Sequence, residues 1–376
     1  MTIRTFIRTS VITLAAVAVV AASGTAASAD PPAGQYRQFA GVGARADANL
    51  WEALSSGTPA VDFGRAQIPS VASYSAASAS RQQIRTRADG PLFARPGYDL
   101  EAIIALSAAH YAPYQGYADD SYAQRVSLKG QIDFARIPTR PSSDLPGTDL
   151  TWMPFVRDAI SVVGKDLDPR ITSLTRAELQ ALYHCRSAGH IDASRGLAYV
   201  GDGFRQELHP TIPSGENVQT AFSNAAGIEE YGSCVPLYPF SRPENSGTII
   251  TQVGQIQPFA VSSWIAQKNG VATNTLIDPG LRILAVNGLA PTSGTAPALM
   301  PGPLFGASAT VPKQGAFSHD IYNVIDHTGV GTPLEAALTT QARTGLSRTV
   351  INRFGFKNID YLGDRSQYLT SGHRNF

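Results

Sequence analysis

The chain has 376 residues, of which 43% are hydrophobic, so it is long enough to form one large or two medium-sized domains with buried cores. Lys and Arg number 30 against 29 Asp and Glu, and no run of basic residues is interleaved with aromatic ones. This charge balance excludes the strongly basic surface with which proteins bind nucleic acid or anionic membranes.

The N-terminal 29 residues have the pattern of a cleavable secretory signal peptide. Arg4 and Arg8 precede a mostly apolar run, Val11–Ala22, and the small residues Ala-Ser-Ala at 27–29 follow it. The apolar run has about 12 residues, whereas a membrane-spanning helix needs about 20, so a retained anchor is disfavoured. No cysteine lies near the cleavage site to carry a lipid. We therefore expect a secreted, extracellular chain that starts near Asp30 and has no membrane span after signal cleavage.

Strand and helix patterns alternate along the rest of the chain. In order, we expect a short strand and glycine turn at 41–43, a helix at 44–54, loops at 70–87, a strand at 131–136, an extended segment at 149–163, a helix at 174–183, a strand at 197–200, a helix at 216–226, a strand-to-helix transition at 256–266 and a Pro/Gly/Ala-rich loop at 290–315. In the helix at 174–183, Thr175 is the predicted N-cap, with Glu178 three residues later. The alternation indicates an α/β architecture with mainly parallel sheets.

The two cysteines, Cys185 and Cys234, favour one disulfide, because they are an even number in a chain with a secretory signal. In the chain-entropy model a loop of this length stabilises the fold by about 4 kcal/mol when it is closed. A metal site is the competing interpretation, since His184 and His190 flank Cys185. No second group of ligands has zinc-like spacing, so we expect neither a metal nor a cofactor.

Several sequence blocks, taken in order, resemble one family: the phosphate-binding-like substrate-binding proteins of the type 2 periplasmic-binding fold, in their actinobacterial secreted branch. The order and spacing of the blocks carry this resemblance, which spans most of the chain after the signal. The blocks are GVGARADANLWEAL (41–54), QIDFAR (131–136), LTWMPFVRDAISVV (150–163), LTRAELQALYHC (174–185), HPTIPSGENVQTAF (209–222), ENSGTIITQVGQIQPFAVSSWIAQ (244–267) and DIYNVI (320–325).

The resemblance implies two α/β lobes, each with a mixed sheet flanked by helices, and a ligand held between them. On this interpretation residues 30–155 form the first part of lobe 1, residues 156–258 form lobe 2, and residues 259–376, with the loop at 290–315, complete lobe 1. The chain would cross to lobe 2 near 154–158 and return near 257–261. The family further implies a small-molecule or oxyanion ligand and an ABC transporter permease as partner.

In the family an oxyanion is held by three loops, and this chain departs from the family pattern in all three. Ser-Asp-Thr-Thr-Gln after the glycine turn is replaced by Ala-Arg-Ala-Asp-Ala at 44–48. Paired serines after the QIDFAR block are replaced by Ile137-Pro138, and Gly-Ser-Gly-Thr-Arg by Gly-Glu-Asn-Val-Gln at 215–219. The matching hydroxyl donors are therefore missing, and Glu216 brings a negative charge to the point where the anion would meet a helix start.

The ligand-binding residues are expected in these same three loops. Arg45 stands where the family has Asp, which adds a positive charge and removes a proton acceptor from the site. The candidates are Arg45, Asp47, Asp133, Arg136, Ser214, Gly215, Asn217 and Gln219.

A second stretch, Arg-Pro-Glu-Asn-Ser-Gly-Thr at 242–248, mimics the Arg-x-Asp-x-Ser-Gly-Thr anion loop of phosphate-binding proteins. Two interpretations remain open for it. It is either the true anion loop, with Arg242, Ser246, Gly247 and Thr248 as ligands, or an ordinary Asn-Ser-Gly turn.

No nucleophile elbow, zinc-binding His pair or phosphate-loop motif occurs, so we expect a non-catalytic protein. The leading hypothesis is an exported, phosphate-binding-like solute-binding protein that captures a small molecule or an oxyanion between two lobes. The alternative is a secreted scaffold or interaction protein that kept the fold and lost phosphate binding. The absence of a lipid-bearing cysteine is evidence against a simple uptake role, because an untethered protein diffuses away from a transporter.

Overall fold

The computed structural model describes residues 30–31, 34–57, 65–75, 83–111, 126–188, 191–192, 197–199, 205–213, 216–236 and 243–374. The predicted signal peptide, Ser214, Gly215 and Arg242 lie outside these ranges. Within them, no helix has both the length and the apolar character that a membrane crossing requires.

Short strands and helices alternate along the chain. The strands are β1 Phe39–Gly43, β2 Val71–Ser75, β3 Gln83–Ile84, β4 Phe93–Ala94, β5 Phe134–Ile137, β6 Leu150–Lys165, β7 Ser173–Leu174, β8 Ile191–Asp192, β9 Leu197–Tyr199, β10 Arg205–Glu207, β11 His209–Pro210, β12 Gln255–Ala260, β13 Leu281–Ile283, β14 Ala285–Val286, β15 Thr292–Ser293, β16 Met300–Pro301, β17 Ser318–Asp326, β18 Lys357–Asn358 and β19 Leu369–Ser371. The helices are α1 Ala48–Ser56, α2 Asp99–His110, α3 Arg176–Tyr183, α4 Glu216–Ala226, α5 Val261–Lys268, α6 Pro333–Leu338 and α7 Gly345–Arg353, with a 3-10 turn at Gly247–Ile249.

The main sheet is mixed, with the strand order β11-β12-β6-β17-β5-β1-β2, and β13, β18 and β19 also pair with β6. β1 runs parallel to β2 and β5, whereas β17 is antiparallel to both β5 and β6. The expectation of mainly parallel sheets is therefore wrong, and the mixed sheet implied by the family resemblance is observed. The reason is that β6 and β17 are not joined to their neighbours by simple strand-helix-strand crossovers.

Strand β6 is the longest strand described and connects two parts of the molecule. Its residues are buried along nearly the whole length, which agrees with a sequence that is apolar or β-branched at most positions, with the charged pair Arg157-Asp158 in the middle. It pairs with β17 up to Ala159 and with β12 from Ile160 onward. The change of partner falls directly after the region where the sequence analysis places the passage between lobes. The lobe boundaries themselves remain a prediction.

Three hydrophobic cores flank the sheet. Core A lies around α3 and α4 and includes Leu179 and Phe222; core B lies under α1, α6 and α7; core C lies under α2. Leu276, Leu284 and Phe305 also pack into core A, although the predicted division assigns their segment to lobe 1.

The predicted helices and strands agree with the structure in part. The Thr175 hydroxyl accepts a hydrogen bond from the Glu178 N–H, and the Glu178 carboxylate accepts one from the Thr175 N–H at 2.8 Å, which confirms the predicted capping box. The loop predicted at 70–87 is wrong for Val71–Ser75, which forms β2 because parallel pairing with β1 buries it. The chain also has three helices, α2, α6 and α7, that the sequence analysis did not predict.

The predicted disulfide is confirmed. Cys185 and Cys234 are bonded, with their Cα atoms 5.8 Å apart, and the bond ties the end of α3 to the loop after α4. No group of three or more His, Cys, Asp or Glu in the described part of the chain has the geometry of a metal site. His190, one of the two histidines considered as metal ligands, lies outside that part.

Candidate functional site

A cavity of about 390 Å³ lies between the start of α1, the loop before the 3-10 turn and the start of α5. Arg45 and Asn49, which are exposed, line it on the α1 side, and Ser262 and Ser263 line it at the start of α5. Its remaining lining residues are Ala46, Leu50, Pro243, Glu244, Asn245, Ser246, Ala266, Gln267, Ala272, Thr273, Thr275, Phe354 and Phe356.

The 243–248 loop is a tight turn that also forms one wall of the cavity. Asn245 has a left-handed backbone with φ 56°, a conformation that Asn tolerates better than most residues. Its side-chain Oδ1 accepts a hydrogen bond from Ala260 N at 2.8 Å, and its carbonyl accepts one from Gln267 Nε2 at 2.8 Å. Ser246 and Thr248 share a hydrogen bond of 2.8 Å between their hydroxyls. These contacts are those of an ordinary turn, yet the turn faces the cavity.

Glu244 brings a carboxylate to the start of α4. Its Oε1 accepts a hydrogen bond from Val218 N at 3.0 Å, in the first turn of that helix. The first-turn N–H groups of a helix favour negative charge, because they lack partners within the helix and lie at the positive end of the helix dipole. A side chain of the protein itself therefore occupies part of the place where an anion would meet this helix.

Asp158 places a second carboxylate against a helix start, that of α5. Its Oδ1 accepts a hydrogen bond from Ser262 N at 3.0 Å, and its Oδ2 accepts one from the Ser262 hydroxyl at 2.5 Å. Burial raises the pKa of Asp158 to about 6, although these hydrogen bonds from Ser262 work in the opposite direction. The contact also links β6 to α5, the two segments where the chain is expected to pass between lobes.

Two predicted ligand residues, Asp47 and Arg136, form a fully buried ion pair below the start of α1. The Arg136 guanidinium also donates to the carbonyls of Gly43 and Ala44, each at 2.7 Å. Burial raises the pKa of Asp47, and the charge of Arg136 opposes that rise. The pair is inaccessible in this conformation, so its groups do not line the cavity.

Asp133 is likewise engaged with its own chain. Its carboxylate accepts a hydrogen bond from Ala40 N at 2.6 Å and forms an ion pair with Arg87. These contacts hold the segment before β5 against β1.

The second-lobe candidates are also placed away from the cavity. Asn217 and Gln219 lie on α4 and are half-buried, but neither lines the cavity. Gln219 instead interacts with Tyr231. Of the candidates within the described ranges, Arg45 is the one that the structure brings to the cavity.

Sequence reasoning missed several cavity residues and came close to others. Asn49, Ser263 and Thr273 belong to no motif, since short polar side chains near helix starts are common. The 242–248 stretch was considered as a possible anion loop, and of the ligands that this interpretation named, Ser246 lines the cavity whereas Gly247 and Thr248 do not.

No known family profile matches the chain, and no curated protein matches it by sequence. Solved structures do match in fold. An ABC-type phosphate transport receptor from Vibrio cholerae superposes with a TM-score of 0.50 at 12% identity, over 85% of this chain and 99% of that one. A phosphate-binding protein from Stenotrophomonas maltophilia gives a TM-score of 0.49 at 11% identity, over 87% and 92% of the two chains. A human phosphate binding apolipoprotein gives 0.48 at 12% identity, over 87% and 93%.

The actinobacterial branch named in the sequence analysis remains a prediction. The comparison at a TM-score of 0.50 spans almost all of the Vibrio cholerae receptor, and at 12% identity it establishes a shared fold. The chain therefore has the α/β periplasmic-binding fold that the resemblance predicted, of the kind found in phosphate-binding-like substrate-binding proteins.

Proposed function

We propose that this chain is an exported, non-catalytic solute-binding protein that captures a small polar molecule in the cavity beside Arg45 and Glu244. One observation carries the proposal: in a fold whose known members include a phosphate transport receptor, a cavity of about 390 Å³ opens between α1 and the 243–246 loop. Its size falls in the range of about 300–1,000 Å³ that is usual for ligand pockets.

The proposed ligand contacts are Arg45, Asn49, Glu244, Ser263 and Thr273. All five line the cavity and are exposed or half-buried, so a solute can reach them. Asp47, Asp133 and Arg136, which the sequence analysis placed in the site, are assigned structural roles, because each is engaged by its own chain.

Inorganic phosphate is not the proposed ligand. Oxyanion binding at helix starts needs N–H groups that are open to the anion. Here Glu244 accepts from a first-turn N–H of α4, and Asp158 accepts from one of α5. Isothermal titration calorimetry with inorganic phosphate is expected to show no binding tighter than millimolar.

Native mass spectrometry of the protein purified from its own host tests solute capture directly. We expect a small molecule bound to the wild type and absent from Ser263→Trp, whose indole fills the cavity. The control Thr349→Trp, on the exposed face of α7, is expected to retain the molecule. Equal occupancy in wild type and Ser263→Trp would refute the assigned site.

The alternative function is a secreted scaffold that kept the fold and lost ligand binding. It is favoured by the closed Asp47–Arg136 pair and by the internal hydrogen bonds of Asn245 and Gln267 in the cavity wall. On this alternative, wild type and Ser263→Trp are both free of solute and are equally stable at every solute concentration. A transporter permease as partner belongs to the first proposal only.

A further inference from the structure

We propose that the cavity is preformed: the parts of the chain on either side of it are braced against each other, so a solute binds without one side closing onto the other. The inference goes beyond the proposed function, because it concerns the movement of the fold and does not depend on which solute the cavity takes. It rests on the number of passages that the chain makes between cores A and B, and on the buried hydrogen bonds at those passages.

The chain runs between cores A and B at more places than the two passages that the family resemblance implies. β6 passes from core B at Val156 to core A at Ala159, and α5 packs into both cores. Two further stretches, 271–276 and 305–311, also begin in one of these cores and end against the other. A hinge motion is absorbed by a few residues at such passages. Every additional passage has to bend in concert with the others, so the four together restrict the motion.

Arg157 braces the first of these passages to the last. This residue of β6 is 1% exposed, and its guanidinium, which has five N–H donors, makes five hydrogen bonds. Nε donates to Asp320 Oδ1 of β17 at 2.9 Å. The other four bonds, of 2.5–3.2 Å, are to the carbonyls of Phe305, Ala307 and Thr310 and to the hydroxyl of Tyr361. Phe305 packs into core A and Tyr361 into core B, so one buried cation connects both cores.

Asp158 braces the opposite face of β6. Successive side chains of a strand point to opposite faces, so Arg157 and Asp158 project in opposite directions. The buried Asp158 carboxylate accepts from the backbone N–H and from the hydroxyl of Ser262, at the start of α5. The strand is therefore fixed from both faces at the point where it passes between the cores.

Asn269 joins the two sides again beyond the end of α5. Its buried side chain donates from Nδ2 to the carbonyls of Leu299 at 2.9 Å and Arg353 at 3.1 Å, and its Oδ1 accepts from Leu299 N at 2.8 Å. Leu299 packs into core A, whereas Arg353 belongs to α7, which packs on core B. The Arg353 guanidinium in turn donates to the Pro297 carbonyl. These contacts tie the segment between β15 and β16 to α7.

Gln267 fixes one wall of the cavity. Its Oε1 accepts from the N–H and the hydroxyl of Thr275, each at 2.8 Å, and its Nε2 donates to the Asn245 carbonyl at 2.8 Å. One side chain therefore joins α5, the 271–276 passage and the 243–248 loop, all three of which line the cavity.

Closure of the cavity by a movement of one core relative to the other would be unfavourable. It would break the bonds of Arg157 and Asn269 and leave a buried charge and buried polar groups without partners. A solute shifts a conformational equilibrium only by the difference between its affinities for the two states. A braced cavity therefore favours capture of a solute without closure.

Distance measurements between two nitroxide spin labels test the inference. The labels are attached to Thr349→Cys in α7, on the core B side, and to Glu230→Cys in the loop after α4, on the core A side; both positions are exposed. The two native cysteines are bonded to each other and do not react with the label. Pulsed electron spin resonance is recorded on the protein as purified from its own host. It is repeated after unfolding in guanidinium chloride, dialysis and refolding, which remove any bound small molecule.

We expect one narrow distance distribution with the same mean in both samples. Arg157→Met removes the brace and is expected to broaden the distribution or to add a second population. Arg343→Met removes the same charge at an exposed position and is expected to leave the distribution unchanged. Tyr361→Phe removes only one hydroxyl from the Arg157 network and provides the test if Arg157→Met does not fold.

Two results would overturn the inference. One is a second population in the wild type, or a shift of its mean distance by more than about 2 Å between the two samples. The other is a distribution that stays narrow in every brace variant that folds, since these bonds would then not hold the cavity in shape. Neither result depends on whether a solute is bound, which native mass spectrometry of wild type and Ser263→Trp decides separately. Failure of the inference therefore leaves the proposed function in place.

Discussion

At the scale of single residues, burial decides what the charged side chains near the cavity do. Asp47 and Arg136 are fully buried and form an ion pair with each other, whereas Arg45, two residues before Asp47, is exposed at the cavity. Residue type alone does not separate these roles, because a carboxylate or guanidinium is equally suited to a ligand or to an internal partner.

Removal of one member of the buried pair is expected to be costly. Asp47→Asn leaves the Arg136 charge buried without its carboxylate, and we expect it to lower the free energy of unfolding by about 3–5 kcal/mol in urea denaturation. The double variant Asp47→Leu/Arg136→Met removes both charges and is expected to recover most of that loss. A cost below about 1 kcal/mol for Asp47→Asn would show that the pair is not essential to the fold.

Asp158 is expected to make stability depend on pH in an identifiable direction. Its pKa is raised by burial from 3.8 to about 6 in the folded protein, so between these values the folded state holds a proton that the unfolded state releases. This group therefore destabilises the fold above pH 6, by about 3 kcal/mol, and the penalty disappears as the pH falls toward 4.

Urea unfolding of wild type and Asp158→Asn at a series of pH values measures this effect. Subtraction of the two profiles cancels the other titrating groups, and the difference is expected to change between pH 4 and 7 and to be flat below pH 4. A difference that is constant across the whole range would contradict the assignment of this titration to Asp158.

At the scale of elements, helices differ in how much of their stability comes from local capping and how much from tertiary packing. α3 has a complete capping box, and its residues Leu179 and Tyr183 pack into core A. α1 has no side-chain cap, and its position is set by Leu50, Trp51 and Leu54 packing into core B. The capping box therefore marks the start of α3 in the sequence, whereas no local signal marks the start of α1, which was predicted at residue 44 and begins at Ala48.

Thr175→Ala is expected to lower the free energy of unfolding by about 1 kcal/mol, because it removes the acceptor for the Glu178 N–H. Chemical denaturation provides the measurement. Thr172→Ala, at a nearby exposed position outside the helix, is the matched control and is expected to change stability by less than about 0.5 kcal/mol. Equal effects of the two substitutions would show that the capping box does not stabilise α3.

At the scale of the whole molecule, one covalent link and one long strand organise the chain. The disulfide spans a sequence separation of 49 residues around core A. β6 runs from cores B and C into core A, so its two halves join different packing units. The cavity lies where α1, which packs on core B, approaches the loop that follows α4.

The double variant Cys185→Ser/Cys234→Ser is expected to lose about 4 kcal/mol of unfolding free energy, because an open loop of this length gains conformational entropy in the unfolded state. Thermal and urea unfolding of the oxidised wild type and the variant measure the loss. Reduction of the wild type should reproduce it, whereas the double variant, which has no disulfide, should not respond to reductant. A loss below about 1 kcal/mol would contradict the chain-entropy account of this bond.

The sequence by itself determined the features that depend on neighbours along the chain. The capping box of α3, the buried run of β6 and the strand-to-helix step at 255–268 all follow from local periodicity and turn chemistry. The order of the blocks was sufficient to predict the fold, and the even number of cysteines was sufficient to predict their pairing.

Only the tertiary structure decided which polar residues face the cavity. Asp47, Asp133 and Arg136 have the chemistry of ligand residues, but contacts with distant backbone and side-chain atoms engage all three. Glu244 and Asp158 reach the starts of helices that are far from them in sequence. Such contacts depend on the packing of the sheet and helices, because burial and the approach of remote segments set the cost of each charge; no local pattern records them.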